Sequence, residues 1–396
     1  MFAIQPEGIY LIHLLSSVLQ DNQPPQPPES LDWERLYHLS SRHKVATMAC
    51  YGINRLDSDN KPPQAVMRKF QVDCKKAVAI EATQHITVEQ VLKIFEENQI
   101  ASMPLKGYLI KYLYPQPDMR LMADVDILFK NEQTKTVKQL MLGLGFTVGE
   151  QGGEHDVYYK KPFMNLEMHR RLISEDSPYS HYLSRTWNRA RLKSGSKFTY
   201  ELALADFYIY TLIHLTKHYT HGGTGIRSFM DLYVYKGRYG NDMDWNYIQA
   251  ELETIKLWEF EKSISGLNQV WFDKAPSNEF YDEMMNFILS SGAYGTINQA
   301  LLSSISTTIS DKRSIGAAKN LYRQTLFFPR LNTMKKSYPL LGTLPFLLPL
   351  CWVLRGLKCL LFKHKNTWQM INEVRSIAGE DLIELHNLHK KAGLWE

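Results

Sequence analysis

Helical spacing of apolar residues runs through most of this chain, and strict alternation is confined to a few short segments before its midpoint. Apolar residues cluster over 8–20, a proline-rich loop follows at 22–30, and a helical pattern begins at Leu31-Asp32-Trp33-Glu34 and continues over 35–54. A longer helix is predicted over 64–98, with Val72, Ala77, Ala79, Ile86, Val91, Ile94 and Phe95 as its apolar positions. Then the period changes. Met103-Pro104-Leu105-Lys106-Gly107 reads as a short strand ending at a glycine, 108–114 as a compact helix, and Pro115 and Pro117 break that helix. A strand follows at Ala123-Asp124-Val125-Asp126-Ile127-Leu128-Phe129. An amphipathic helix is predicted over 132–142, stopped by Gly143 and Gly145. Strand-like segments at 155–160 and 165–172 flank a turn containing Pro162, which predicts a hairpin. Beyond Ser174 the expectation is helical: 201–219, closed by Gly222-Gly223-Thr224-Gly225, then 226–236, 245–272, 281–289 and a last helix over 368–391.

The chemistry concentrates where the alternation is clearest. Period two puts Asp124 and Asp126 on one face of their strand and Val125 and Ile127 on the other. Two like charges held that close repel, and a divalent cation relieves the conflict; Mg²⁺ favours one or two carboxylates plus phosphate oxygens. In Asn165-Leu166-Glu167-Met168-His169 the same alternation sends Glu167 and His169 to one side. Three acids on neighbouring strands, beside a glycine turn that opens a helix, suggest metal-dependent phosphoryl or nucleotidyl transfer. Gly107 would let backbone approach a phosphate, Lys106 would add a point charge, and Arg120 would offer a bidentate contact, unless it pairs with a nearby acid. His214 and His218 stand four apart on a predicted helix without the acid of a zinc-protease pattern, so they read as structural or substrate-lining. Arg227 and Asp231, also four apart, read as an intrahelical pair.

Leu105-Lys106-Gly107, Tyr114-Pro115, Arg120, Asp124-Val125-Asp126-Ile127-Leu128 and Leu166-Glu167-Met168-His169 together resemble the uncharacterised nucleotidyltransferase family of the DNA polymerase β-like superfamily. The likeness continues through His214-Leu215, His218, Arg227 and Asp231-Leu232 to Tyr338-Pro339. One position departs from the wider superfamily, whose glycine motif ends in Gly-Ser; here Tyr108 follows Gly107 and no serine hydroxyl is offered. The resemblance implies an α+β fold, a small mixed sheet flanked by largely helical N- and C-terminal regions. It implies Asp124, Asp126 and Glu167 as catalytic and metal-binding residues, and Lys106, Gly107 and Arg120 as holders of the nucleotide. The implied cofactor is Mg²⁺, with Mn²⁺ as a substitute, and the implied co-substrate is ATP or another NTP. The acceptor would be a hydroxyl of a small molecule, peptide or protein. Phosphoryl transfer on the same fold, or a non-catalytic nucleotide-binding scaffold, are the alternatives.

Composition narrows this picture modestly. In 396 residues, 44% hydrophobic and 22% charged, there is room for several domains with real cores, expected at 1–80, 81–175, 176–330 and 331–396. A net charge of +5 is too mild to mark nucleic acid as the main partner. Cys50, Cys74, Cys351 and Cys359 show no metal spacing and fit reduced thiols in the cytoplasm. The apolar stretch 338–362 contains three prolines and an uncharged run shorter than the roughly twenty residues of a spanning helix. Its basic flanks suggest docking to a protein or to a membrane surface.

Overall fold

The computed structural model describes residues 5–293, 295, 297–306, 315–362 and 377–394. Four helices open the chain: α1 (Pro6–Leu19), α2 (Trp33–Arg42), α3 (Ala46–Asn54) and α4 (Gln64–Glu97). Asp32 starts α2 by accepting from the backbone N–H groups of Glu34 and Arg35. Where one helical run was expected over 35–54, Lys44 takes φ +58° and divides α2 from α3. The long helix α4 has nearly the expected limits, and Ala77, Val91 and Phe95 of its expected apolar positions are buried, but the face is only partly the expected one. Its buried stripe runs Val66, Phe70, Ala77, Gln84, Val88, Val91, Phe95. Val72, Ala79 and Ile86 lie two residues beyond Phe70, Ala77 and Gln84, about 200° around the helix, and are exposed.

The sheet that follows has five strands: β1 (Ser102–Pro104), β2 (Val125–Phe129), β3 (Thr147–Val148), β4 (His155–Lys160) and β5 (Met164–His169). Their order is β1-β2-β5-β4-β3, with β2 and β5 parallel and the other neighbours antiparallel. It is therefore mixed, and the fold is α+β. Helix α5 (Gly107–Ile110) leaves the end of β1, and α6 (Thr134–Gly143) lies on the crossover from β2. One sheet face is apolar: Val125, Ile127, Phe129, Leu166, Met168 and Tyr158 pack with Val88, Val91 and Phe95 of α4 and Val137 and Met141 of α6. Alternation then leaves Asp126, Glu167, His169 and His155 to the other face.

After two short helices, α7 (Ser180–Leu183) and α8 (Thr186–Arg189), the chain forms a small hairpin, β6 (Ala190–Leu192) and β7 (Tyr200–Leu202), where helix was expected from 201. The backbone N–H of Ser102 donates to Phe198 O at 3.0 Å, which ties this hairpin to the β1 edge. Helices α9 (Leu204–His221), α10 (Ile226–Tyr239), α11 (Trp245–Thr254), α12 (Trp258–Phe272) and α13 (Glu279–Ser291) follow.

The chain divides into two compact units. One comprises Met1–Lys217 with Thr224–Tyr294; the other comprises His218–Gly223 with Gly295–Glu396. The second contains α14 (Ile297–Ser306), α15 (Ile315–Phe327), α16 (Leu331–Ser337), α17 (Leu348–Phe362) and α18 (Gly379–Lys391). Within it, Met334, Leu341 and Cys351 form a small core covered by Leu331, Tyr338, Leu347, Leu348 and Trp352. The last helix was expected from 368; positions 368–376 lie outside the described residues. Among the described residues no helix is long and apolar enough to cross a membrane. Cys50, Cys74 and Cys351 are free thiols.

Candidate active site

Register brings the acids together. Asp126 on β2 stands beside Glu167 on β5, and Glu167 stands beside Val157 on β4. Two residues on, Leu128, His169 and His155 make the next row of the same face. Asp126 is buried, yet its carboxylate is well furnished: Lys106 Nζ lies 3.1 Å from Oδ1, and His169 Nε2 lies 2.7 Å from the same oxygen. Burial alone would raise its pKa. The Lys106 charge and the His169 hydrogen bond overcome that and hold the carboxyl well below the usual carboxylate range.

Asp124 is placed differently. Partial burial, and repulsion from Asp126 and Glu167, push its pKa upward, with Lys106 and Arg227 acting only at longer range. Among the described residues it forms no ion pair of its own. Glu167 is held low, first by its approach to His169 and then by the charge of His155, against burial and the charge of Asp126. Asp124, Asp126 and Glu167 thus form a carboxylate group with like-charge repulsion still unrelieved at Asp124. That donor chemistry fits a hard divalent cation.

Lys106 reaches Asp126 through an unusual backbone. Leu105 N–H still bonds Asp126 O, continuing the β1 ladder, and the next residue turns sharply with φ +42°, ψ −118°. Few side chains adopt that region, and such conformations cost roughly 1–3 kcal/mol where surrounding contacts enforce them. Here the Lys106 carbonyl accepts from Leu109 and Ile110 N–H to start α5, while the ammonium goes to Asp126. Burial works against the charged ammonium, but the Asp126 carboxylate outweighs it and raises the lysine above its ordinary value.

A further contribution comes from α9. Tyr210, His214 and Lys217 share one stripe at helical spacing. The buried Tyr210 hydroxyl is pushed up by burial and stabilised in the other direction by Lys106. His214 helps lower Asp126, and the Lys217 ammonium is lowered by burial and by Lys106.

A model of the family described as uncharacterised nucleotidyltransferase matches residues 29–273. The chain belongs to that family. Among solved structures, the antibiotic-resistance factor ANT(2'')-Ia, determined in solution, is similar to it with 10% identity, over 44% of this chain and 93% of its own, at a TM-score of 0.34. Comparison with curated proteins gives no match.

In this family member two expected phosphate holders have other work. Arg120 was expected to offer its bidentate edge to phosphate; that edge is taken. Its Nε and Nη2 donate to Asp231 at 2.8 and 2.6 Å, and Tyr114 Oη adds a bond to Asp231 at 2.8 Å. Asp231 is therefore not the intrahelical partner of Arg227, which instead donates to the Leu121 carbonyl. Gly107, expected to admit phosphate, admits the arginine: a Cβ there would lie 2.8 Å from Arg120 Cζ and 2.9 Å from Met122 Sδ. The residue with the left-handed backbone is Lys106, not the glycine. Sequence reasoning also passed over His155, Tyr210 and Lys217. His155 was recoverable, because the hairpin turn fixes it opposite His169. The cavity of about 390 Å³ beside α1, lined by Pro6, Tyr10 and Pro25 among others, contains none of these residues.

Proposed function

We propose that this chain is a Mg²⁺-dependent nucleotidyltransferase that moves a nucleotidyl group from an NTP, ATP first among them, to a hydroxyl of a small-molecule, peptide or protein acceptor. Family membership supports the reaction class. The observation that carries the finer reading is the carboxylate group on the sheet face opposite the apolar core, Asp126 beside Glu167 with Asp124 at the head of β2. Asp124 and Asp126 would hold the cation, with Glu167 as third ligand or base; when bound, Mg²⁺ neutralises phosphate charge and orients the α-phosphate.

The chain's own residues supply the rest. Glu167 takes the acceptor's proton, the hydroxyl oxygen forms a bond to the α-phosphorus, and the bond to the leaving pyrophosphate breaks. Its lowered pKa keeps Glu167 ionised and able to accept at neutral pH. Lys106 places positive charge beside the triphosphate and against Asp126. Tyr210 supports that lysine from α9, and Arg120, clamped by Asp231, fixes the 114–122 segment behind it rather than touching phosphate. Catalysis in this arrangement is mainly positioning and charge stabilisation.

Asp124→Asn and Asp126→Asn are expected to reduce transfer to background in folded protein, and Glu167→Gln to lower kcat by about 10²–10⁴-fold. Incubation with ATP labelled at either phosphate reads the reaction type. Label from the α-phosphate on the product marks nucleotidyl transfer, whereas label from the γ-phosphate marks a kinase and overturns the proposal. The reading further extends to α17, whose outward apolar stripe and basic flanks we assign to contact with an anionic membrane surface.

A further inference from the structure

On the sheet face opposite the apolar core, His155, Glu167 and His169 bring one donor atom each within 4.8 Å of one another. His169 Nε2 is 3.4 Å from Glu167 Oε2, and His155 Nε2 is 3.6 Å from the same oxygen. Those separations are long for N–H···O hydrogen bonds, which usually span roughly 2.7–3.2 Å. They match something else. Around a tetrahedral ion with bonds of roughly 2.1 Å, neighbouring donors stand about 3.4 Å apart. Asp126 Oδ1, 2.7 Å from His169 Nε2, adds a fourth donor atom at the edge of the group.

The arrangement follows from the sheet. His155 and His169 are direct partners across the β4–β5 ladder, their rings 4.8 Å apart between centroids, and Glu167 precedes His169 by one full period on the same strand. Both imidazoles present the same nitrogen to the same carboxylate oxygen. His169 is buried, and its Nε2, which donates to Asp126 Oδ1 without the ion, would give up that proton on ligating it; His155 keeps about a third of its side chain exposed and can turn to close the polyhedron.

We infer that His155, Glu167 and His169 form a second cation site, selective for a borderline divalent transition-metal ion such as Zn²⁺, Mn²⁺ or Co²⁺ over Mg²⁺. Two imidazoles and one carboxylate suit such ions, whereas Mg²⁺ takes oxygen donors and keeps much of its water. The inference deepens the proposed function, because the second cation would engage Glu167 through Oε2, the oxygen both histidines face, and leave Oε1 for the base role. Asp124 belongs only to the first cation position.

The test is titration of the full chain with Co²⁺, followed by visible absorption for imidazole ligation and by calorimetry for affinity, without substrate. Wild type is expected to bind with nitrogen ligation, and His155→Ala and His155→Gln each to weaken binding about tenfold or more. Asp124→Asn is expected to keep the Co²⁺ spectrum while losing nucleotidyl transfer. Equal binding by wild type and both His155 variants, or a spectrum with oxygen ligands only, would overturn the site. A Co²⁺ spectrum that depends on His155, together with full transfer by Asp124→Asn, would uphold this site and remove the proposed function instead.

Discussion

His43 ends α2 with its ring buried between two backbone groups. Nδ1 accepts from Ile226 N–H at 3.3 Å, so Nε2 carries the proton and donates to Leu289 O at 3.1 Å. A neutral imidazole satisfies both, and burial lowers the ring's pKa to about 4 from its ordinary 6.5. The folded value is depressed, so the stability it contributes is present above pH 6.5 and lost as pH falls through about 4. The loss is on the order of 3 kcal/mol. Thermal melts between pH 7 and 4 should show that decline in wild type and less of it in His43→Gln, which keeps an uncharged ring-sized amide. At this scale the sequence separates residues unevenly. Asp124 and Asp126 announce themselves because alternation alone places both on one face. Arg120 does not, since its partner Asp231 is 111 positions away and any of several acids could have met it.

Helix α10 reaches back to the loop before β2 through Asp231 and Arg227, and thereby holds the arginine that covers Gly107. Breaking a buried ion pair from one side leaves the other charge uncompensated. Asp231→Asn is expected to cost about 3–5 kcal/mol, measured by denaturant unfolding. Gly107→Ala should act through the same group, because its methyl must displace the guanidinium; kcat should fall along with stability. Elements were legible where one periodicity ran clean. The hairpin of β4 and β5 reflects about its turn so regularly that paired positions sum to one constant, which places His155 opposite His169. The pair β6 and β7 was hidden, for its second strand is three residues long and runs straight into the apolar spacing of α9. The break between α2 and α3 was hidden too, as Lys44 adopts its positive φ with no glycine or proline to signal it.

Across the whole molecule, the apolar surface is not all spent on cores. On α17, Leu350, Val353, Leu354 and Leu357 recur at helical spacing and stay about half exposed, opposite the Cys351 side that packs inward. No acid occurs from 331 to 362, while Lys335, Lys336, Arg355 and Lys358 are basic. Vesicles containing anionic lipid should therefore sediment the protein, neutral vesicles should do so less, and Leu350→Glu/Leu354→Glu should abolish the effect. Equal sedimentation of that variant would rule the stripe out.

Helix α4 spans 34 residues, about 50 Å of continuous rod. Its first half is clothed by α2 and α3, and its second half forms one wall of the sheet's core. No joint separates those halves. The transferase core is consequently not a module that recombination could lift out at residue 80, because the cut would sever the rod on which that core is laid.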